Sequence, residues 1–329
     1  MKHILEKLFA QQYLSKEEAH HTLSKISDGK YNPFEISAFL TVFRMRNITV
    51  DELTGFRNCL KDRCIPIDLS SFNPIDLCGT GGDGKDTFNI STLASFIVAG
   101  AGFKVAKHGN YGVSSTCGSS NIMEYLGYTF TNNPDHLKKQ IDQSGICFLH
   151  APLFHPAMKE VASIRKNIGV RTFFNMLGPM VNPSSPKNQL VGVFSLQLLR
   201  YYKYIYEQED ISYRIVHSLD GYDEISLTGS AKIISPDKEY LLHPQEVIAT
   251  AVQPEKITGG NSIRNSAKQF INILEGNGNT QQNAVAIANA AMAIECFQST
   301  TNYHESLSLA EDSLKSLAAL NAFKTLLSL

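Results

Sequence analysis

A cluster of glycines constrains this chain more than any other feature of its sequence. The 329 residues include 22 glycines, and many of them fall in one stretch that begins at Gly79 and ends at Gly127. The glycines of this stretch are Gly79, Gly81, Gly82, Gly84, Gly100, Gly102, Gly109, Gly112, Gly118 and Gly127. Glycine is favoured where the backbone must adopt left-handed conformations or approach a ligand closely. The cluster therefore predicts the position of a ligand-binding site.

Short apolar runs alternate with helical patterns around and after these glycines. We predict strands at 75–78, 103–106, 147–149, 191–194 and 214–217, and helices at 91–99, 119–125 and 281–297. Strands that alternate with helices are typical of a mostly parallel sheet covered on both faces. The segment 165–183, rich in Gly, Pro and Asn, is predicted to be a connection that returns toward the N-terminal part of the chain.

The N-terminal part has a different, all-helical pattern. Three capping boxes predict helix starts, and each pairs an N-terminal cap with a glutamate three residues later: Ser15 with Glu18, Asn32 with Glu35, and Thr49 with Glu52. Apolar residues at helical spacing follow, in three sets: Ile4, Leu5, Leu8 and Phe9; Ile36, Phe39, Leu40 and Phe43; and Leu53, Phe56 and Leu60. These one-sided stripes must pack against a larger domain or a second chain. We therefore expect a helical domain at 1–66, with a returning segment near 166–183, and an α/β domain at 67–329.

Composition and charge exclude several classes of protein. The chain has 30 Lys and Arg against 31 Asp and Glu, a net charge of −1, so nothing global favours binding to nucleic acid or to an anionic membrane. No apolar run approaches the ~18 residues that a membrane helix needs. The six cysteines form no C-x-x-C pair, which favours free thiols in a reducing compartment. We expect a cytoplasmic protein.

The glycine-rich loop comes close to two common nucleotide-binding motifs. Gly79, Gly81 and Gly84 satisfy G-x-G-x-x-G after a predicted strand, but Asp83 places a negative charge where a pyrophosphate would lie. No acidic residue ends the next strand, where a ribose ligand is expected. The P-loop pattern fails because Asp86 stands where a Ser or Thr hydroxyl should bind Mg²⁺.

A different phosphate-binding arrangement fits the sequence better. Thr87, Asn89, Ser91 and Thr92 supply hydroxyls and an amide at the start of a predicted helix, where backbone N–H groups favour anions. The segment 107–115 provides a second turn of this kind, followed by Ser119 and Ser120 at another helix start. Such turns lie together at the carboxyl ends of parallel strands. Together they suit a ligand with two separated phosphates.

These segments together resemble the anthranilate phosphoribosyltransferase family. The resemblance rests on GTGGD at 79–83, NIST at 89–92, KHGN at 107–110, HPAM at 155–158, GVRT at 169–172, FNMLGP at 174–179 and GYDE at 221–224. It extends from the N-terminal helices almost to the C-terminus.

The resemblance implies a fold, a reaction and an assembly. The fold would be a helical N-terminal domain joined to a larger α/β domain with a mostly parallel central sheet, as in nucleoside phosphorylases and class II phosphoribosyltransferases. The reaction would transfer the phosphoribosyl group of 5-phosphoribosyl 1-pyrophosphate (PRPP) to the amine of anthranilate, with Mg²⁺, in the second step of tryptophan biosynthesis from chorismate. The family is commonly a homodimer through its helical domain.

The resemblance also implies which residues form the site. PRPP would be held by Gly79, Gly82, Asp83, Thr87, Asn89, Ile90, Ser91, Thr92, Lys107, His108, Gly109, Asn110, Tyr111, Gly112, Val113, Ser114, Ser115 and Ser119. Anthranilate would be held by Gly79, Asn110 and Arg165, and Mg²⁺ by Ser91, Asp223 and Glu224. Many members of the family have Arg after KHGN, whereas this chain has Tyr111.

The chemistry of this reaction agrees with such a set. An aromatic amine is neutral near pH 7, so positioning and electrostatics dominate and no single catalytic residue is assigned. His108 and His155 are expected to have packing or structural roles, and Arg171 competes with Arg165 for the substrate carboxylate or tethers the loop. Two alternatives stay open: a pyrimidine nucleoside phosphorylase-like enzyme, and a non-catalytic relative that binds nucleic acid.

Overall fold

The central element of the computed structural model is a seven-stranded sheet. The structure describes residues 1–112, 117–297 and 302–329. The strands are β1 Ile75–Leu77, β2 Val105–Gly109, β3 Ile146–His150, β4 Asn188–Gly192, β5 Ser212–Ser218, β6 Ala231–Ile234 and β7 Glu239–Leu242. Their order across the sheet is β3-β2-β1-β4-β5-β6-β7. The pairs from β3 to β5 are parallel, which confirms the predicted α/β fold class.

Two details of the sheet differ from the sequence prediction. Strands β6 and β7 are antiparallel additions that the pattern analysis did not identify. Two predicted strands are also shifted along the chain, because β2 begins at Val105 instead of residue 103 and β4 ends at Gly192 instead of residue 194. Strand ends are set by pairing with neighbouring strands, which a single sequence does not show.

Helices cover the sheet and precede it. They are α1 Lys2–Phe9, α2 Lys16–Ser27, α3 Pro33–Met45, α4 Val50–Asp62, α5 Ile90–Gly100, α6 Ser119–Tyr125, α7 Pro134–Ser144, α8 Ala151–Phe154, α9 Lys159–Ile168, α10 Leu196–Tyr206, α11 Ile263–Leu274, α12 Thr280–Ile294, α13 Tyr303–Lys315 and α14 Ala318–Leu327. None of the helices in the described ranges is long and apolar enough to cross a membrane.

The order of the strands creates a crevice beside β1. The chain runs from β1 outward through β2 and β3, and then returns past β1 to form β4 on the opposite side. Successive connections therefore leave β1 and β4 in opposite directions. In open α/β sheets, ligands bind at such a switch point, outside the carboxyl ends of the strands. The glycine-rich loop that follows β1 lies at this position.

The N-terminal helices follow the predicted pattern closely. All three capping boxes are present, so the predictions at Ser15, Asn32 and Thr49 are confirmed. The apolar stripes of α3 and α4 are buried, and those of α1 only in part, since Phe9 is 61% exposed. The exposed residues of these helices include two large apolar side chains of α3, Phe34 and Met45.

The N-terminal helices share a core with a later part of the chain. Phe39, Phe43 and Phe56 pack edge-to-face or stacked against Phe173, and α9 contributes Val161 to the same cluster. The segment 165–183, predicted to be a connection, begins within a helix, because Arg165 lies in the last turn of α9. The remainder of that segment contains two short 3₁₀ turns and no longer helix.

A second core lies between the sheet and the C-terminal helices. The small residues of α12 allow it to pack closely against α5, and Ala286, Ala290 and Ala293 of α12 are fully buried. Phe96 of α5 is at the centre, with its ring 6.0 Å from Phe270 and 5.3 Å from Phe323. This core fixes the position of α5, whose N-terminus faces the crevice.

Replacement of Phe96 by Ala should lower the free energy of unfolding by about 3–5 kcal/mol, because it removes a fully buried ring and leaves a cavity. Urea unfolding followed by circular dichroism measures this change. Tyr204→Ala is the matched control, since Tyr204 is also on a helix but is 52% exposed, and its effect should stay below about 1 kcal/mol. Equal losses in the two variants would contradict this account of the core.

Candidate active site

A cavity of about 540 Å³ opens at the carboxyl ends of β1, β2 and β5. Its walls are the glycine-rich loop that follows β1 and the second loop, which follows β2. The acidic turn that follows β5, with Asp223 and Glu224, and parts of 151–181 complete them. This size is typical of a site for a small molecule. The cavity lies at the switch point of the sheet and also contacts the segment that packs on the N-terminal helices.

The glycine-rich loop is shaped by backbone conformations that suit glycine. Gly81, Gly82 and Gly84 all have φ between 61° and 76°, in the left-handed region. Asp83 is held inside the loop, where its Oδ1 accepts a hydrogen bond from the backbone N–H of Lys85 at 3.0 Å. The loop therefore exposes backbone groups to the cavity while it directs Asp83 toward the acidic turn.

The second loop packs directly against the first. The side chain of Asn89, at the N-terminus of α5, donates a hydrogen bond to the carbonyl of Cys117 at 3.0 Å. Within the second loop, a Cβ on Gly118 would overlap the backbone of Gly112, so only glycine fits there. The two turns predicted to hold separated phosphates therefore line one continuous surface.

An acidic pair, Asp223 and Glu224, forms a further wall of the cavity, in contact with the glycine-rich loop and the start of α5. Asp223 Oδ2 accepts from the N–H of Gly81 at 2.6 Å, and Glu224 Oε1 accepts from the N–H of Ser91 at 3.0 Å. Burial, followed by the nearby charge of Asp83, raises the pKa of Asp223 to about 7. Burial and the charge of Asp223 raise the pKa of Glu224 well above its usual range.

This pair is suited to a hard divalent cation. Neither carboxylate forms an ion pair with a Lys or Arg in the described parts of the chain. Buried carboxylates without a cation are costly, because desolvation and mutual repulsion both oppose their charged forms. Mg²⁺ is bound through oxygen ligands, often one or two carboxylates together with substrate phosphates. The donor set at Asp223, Glu224 and Ser91 therefore fits Mg²⁺.

Lys107 is a buried cation that lines the same cavity as this wall. It is 2% exposed, and its Nζ donates to the carbonyl of Leu77 at 2.6 Å and to Ser91 Oγ at 3.4 Å. A buried ammonium with these partners contributes positive charge beneath the N-terminus of α5. Asp76, buried on β1, partly balances that charge, and burial raises its pKa to about 6.

Two histidines form a neutral part of the cavity wall. Nδ1 of His108 lies 3.0 Å from the carbonyl of Gly178, so Nδ1 carries the proton and Nε2 has the free lone pair. The ring of His155 is 5.3 Å from that of His108. Burial lowers the pKa of His108 to about 3 and that of His155 to about 4. Both rings are therefore neutral near pH 7 and are weak bases.

The two candidate arginines have different surroundings. Arg165 lines the cavity from α9, with its guanidinium 5.2 Å from the centre of the Phe174 ring, and burial lowers its pKa to about 10. It forms no ion pair with the residues that the structure describes. Arg171 instead donates to the carbonyl of Gly82. Arg165 is free to bind a carboxylate, whereas Arg171 tethers the glycine-rich loop.

Tyr111, the departure from the family pattern, is docked on neighbouring elements. Its hydroxyl donates to Glu124 of α6 at 3.3 Å, and its ring packs edge-on against His150 at 4.8 Å. The residue is 39% exposed at the rim of the cavity. It therefore anchors the second loop to α6 and β3 without contributing a charge.

The structure brings the sequence-predicted residues together around this cavity. Every sequence-predicted site residue in the described ranges lines the cavity. Val113, Ser114 and Ser115 lie outside the described residues. Further lining residues were not predicted as site residues: Leu60, Cys78, Thr80, Gly81, Gly84, Lys85, Asp86, Phe88, Cys117, Gly118, Ala151, His155, Met158, Phe174, Asn175, Leu177, Gly178 and Val181. Several belong to the HPAM and FNMLGP segments, whose motifs were recognised without a role in the site.

Comparison with known proteins first defines the class. Residues 2–64 match the helical bundle domain of the glycosyl transferase family, and residues 72–320 match the a/b domain of the same family. The chain thus contains both domains of this glycosyl transferase family.

The particular family follows from individual relatives. Anthranilate phosphoribosyltransferase of Flavobacterium johnsoniae is 60% identical over 326 residues, which cover 99% of this chain and 98% of the relative. The enzyme of that name from Thermus thermophilus has a crystal structure with a TM-score of 0.90 and 30% identity, covering 98% of each chain. A structure of the Saccharomyces cerevisiae enzyme in complex with PRPP and Mg has a TM-score of 0.90 and 26% identity, covering 98% of this chain and 96% of that one. The chain belongs to the anthranilate phosphoribosyltransferase family.

The depressed pKa of His155 predicts a pH dependence of stability. The unfolded chain binds a proton at this residue below about pH 6.5, whereas the folded chain does so only near pH 4. Stability is therefore lost as the pH falls below 6.5, by about 2 kcal/mol per such histidine between pH 7 and pH 5. His155→Gln should flatten this dependence in urea titrations at the two pH values. An unchanged slope would show that His155 titrates normally in the folded state.

Proposed function

We propose that this protein transfers the phosphoribosyl group of PRPP to the amino nitrogen of anthranilate, releasing pyrophosphate. The observation that carries the proposal is the cavity, which joins the acidic wall of Asp223 and Glu224 to the guanidinium of Arg165, and none of these groups has an ion-pair partner among the described residues. A metal-bound polyphosphate suits the first, and the carboxylate of an aromatic acid suits the second. The 60% identity to the anthranilate phosphoribosyltransferase of Flavobacterium johnsoniae supports the same reaction.

We place PRPP along the two loops and the acidic wall. The proposed contacts are Gly79, Gly82, Asp83, Thr87, Asn89, Ile90, Ser91, Thr92, Lys107, His108, Gly109, Asn110, Tyr111, Gly112, Val113, Ser114, Ser115 and Ser119. Backbone N–H groups of the glycine-rich loop and the N-terminus of α5 suit the anionic groups of this ligand. Anthranilate would lie against Gly79, Asn110 and Arg165, with the Phe174 ring beside the guanidinium.

Asp223, Glu224 and Ser91 are proposed to hold Mg²⁺ together with the pyrophosphate group. When bound, the ion supplies charge neutralisation for the departing pyrophosphate. The chain itself fixes the acidic pair through the N–H groups of Gly81 and Ser91. Use of Mg²⁺ is supported by the yeast structure, which contains PRPP and Mg.

Formation of the bond between the amine nitrogen and C1 of the ribose depends on the positioning of the two substrates more than on a general base. The neutral aromatic amine attacks C1 of the ribose as pyrophosphate leaves, and the proton on nitrogen is lost afterwards. A preorganised site contributes through orientation and fixed charges. Nε2 of His108 has a free lone pair, but its depressed pKa makes it a weak base. We therefore assign His108 to the wall of the site and assign no residue as a general base.

The phosphorylase alternative has less support. Phosphorolysis of a pyrimidine nucleoside would place no metal-bound pyrophosphate against Asp223 and Glu224. Two buried acids without a cation would then repel the incoming phosphate. Arg165 would also lack its carboxylate partner.

The same proposal includes an assembly, a location and a division of the chain. We propose a homodimer through the helical domain, because Phe34 is 86% exposed and Met45 is 84% exposed on those helices. A cytoplasmic location is supported by the six cysteines, all of which are in described parts of the chain and are free thiols. We place the helical domain at 1–66, with the returning segment near 166–183, and the α/β domain at 67–329.

Anthranilate fluorescence tests the reaction directly, since the chain has no tryptophan to interfere. Protein, Mg²⁺, PRPP and anthranilate should together give a decay of anthranilate emission, because the product carries a substituted amine. Omission of PRPP, or addition of excess EDTA, should abolish the decay. A folded protein that shows no decay at micromolar concentration would refute the proposal. Thymidine phosphorolysis without Mg²⁺ would favour the alternative.

Arg165→Ala should raise the KM for anthranilate by about tenfold or more, because a charge-assisted bidentate contact is lost. The KM for PRPP should change by less than about threefold. Steady-state kinetics with each substrate varied in turn makes the measurement. Lys166→Ala, at the exposed neighbouring position, is the matched control and should leave both values unchanged. Equal increases in both KM values for Arg165→Ala would assign it a general structural role.

A further inference from the structure

We propose that Asn289 is the positioning residue of the acidic pair, and that its side chain sets the affinity of the site for the divalent cation. The inference rests on the proposed function and extends it to a residue of α12 that contacts neither substrate. Asn289 is 4% exposed and lies among the small residues of that helix.

The side-chain amide of Asn289 forms hydrogen bonds with the backbone of the residue immediately after Glu224. Its Oδ1 accepts from the N–H of Ile225 at 3.1 Å, and its Nδ2 donates to the carbonyl of the same residue at 2.9 Å. The second Nδ2 hydrogen is donated to the carbonyl of Val285 within α12, at 2.8 Å. Both donor hydrogens are used, and the direction of the amide is therefore fixed. An aspartate in this position would face two carbonyl oxygens without a proton to donate.

The acidic turn needs this restraint because it is unfavourable to hold several negatively charged side chains close together. Asp223 and Glu224 are adjacent in the chain, and Asp83 lies close to them, since its Oδ2 is 3.4 Å from the backbone N of Asp223. None of these three carboxylates forms an ion pair with a Lys or Arg in the described ranges, so their like charges repel one another. Without a restraint, the turn would relieve this repulsion by moving into solvent. Hydrogen bonds to both backbone groups of Ile225 hold it in place before any cation is bound.

Besides the hydrogen bonds from Gly81 and Ser91, the turn has contacts with the sheet. Ser218 Oγ donates to the carbonyl of Glu224 at 2.6 Å. A Cβ on Gly192 would overlap the carbonyl oxygen of Asp223, so the turn lies directly on β4. Asn289 also lines a small cavity of about 20 Å³ behind the carboxylates, together with Asp223 and Glu224. The turn is thus fixed between the sheet and α12, and Asn289 supplies the contact from the helix.

The test compares cation binding with folding. The variants are Asn289→Leu, which keeps the approximate shape without hydrogen bonds, and Asn289→Asp, which keeps one acceptor. The matched control is Asn283→Ala, since Asn283 is on the same helix and donates only a weak 3.4 Å hydrogen bond, to Gly278. Mn²⁺ with pyrophosphate is the probe, and electron paramagnetic resonance of free Mn²⁺ measures binding. Urea unfolding and the KM for anthranilate are measured in parallel.

Both Asn289 variants should weaken Mn²⁺ binding by at least tenfold and raise the Mg²⁺ concentration for half-maximal activity similarly. Their KM for anthranilate should change by less than threefold, and Asn283→Ala should match the wild type throughout. Unchanged Mn²⁺ binding in folded Asn289 variants would overturn the inference. Loss of folding in both variants would also overturn it, since Asn289 would then support the whole domain. Wild-type protein that binds Mn²⁺ but does not consume anthranilate would instead refute the proposed function.

Discussion

The constraint on which this structure depends is the presence of two adjacent carboxylates at the switch point of the sheet, with Asp223 buried and Glu224 half-buried. Asp223 and Glu224 lie against Gly192 on one side and receive N–H groups of Gly81 and Ser91 on the other. Desolvation and mutual repulsion oppose this arrangement, so it persists only where the surrounding backbone holds it. The same feature that costs stability provides oxygen ligands for a cation. The acidic turn therefore both forms the proposed cation site and lowers the stability of the fold through the repulsion of its charges.

The sheet explains why distant segments reach the same cavity. Because β1, β2, β4 and β5 are parallel, their following loops emerge at one edge, although they are far apart in the chain. Helix α5 directs its N-terminus to this edge, and α12 packs beside it with side chains small enough for close approach. The helical N-terminal part reaches the cavity directly through Leu60 of α4, and its aromatic core includes Phe173 beside Phe174 of the cavity wall.

The sequence predicted the elements and loops well where the signal is local. Capping boxes at Ser15, Asn32 and Thr49 need only four residues to be recognised, and the glycine-rich loop identifies itself by composition. Features that depend on tertiary pairing were missed, including the antiparallel strands β6 and β7 and the start of 165–183, which is helical. For Arg171 the sequence left two roles open, and the structure shows the tether of the glycine-rich loop. The role of Asn289 was inaccessible, because it depends on the backbone of Ile225, 64 residues away. A polar residue in an apolar helix is visible in a sequence, but its partner is not.

The central claim is that the acidic wall is built for a divalent cation bound with the pyrophosphate of PRPP. A crystal structure with PRPP and Mn²⁺, with anomalous data collected for manganese, measures this most directly. The account predicts an anomalous peak within about 2–2.5 Å of a carboxylate oxygen of Asp223 or Glu224 and of a pyrophosphate oxygen. PRPP bound along the two loops, with manganese absent from this wall or bound elsewhere, would contradict the claim.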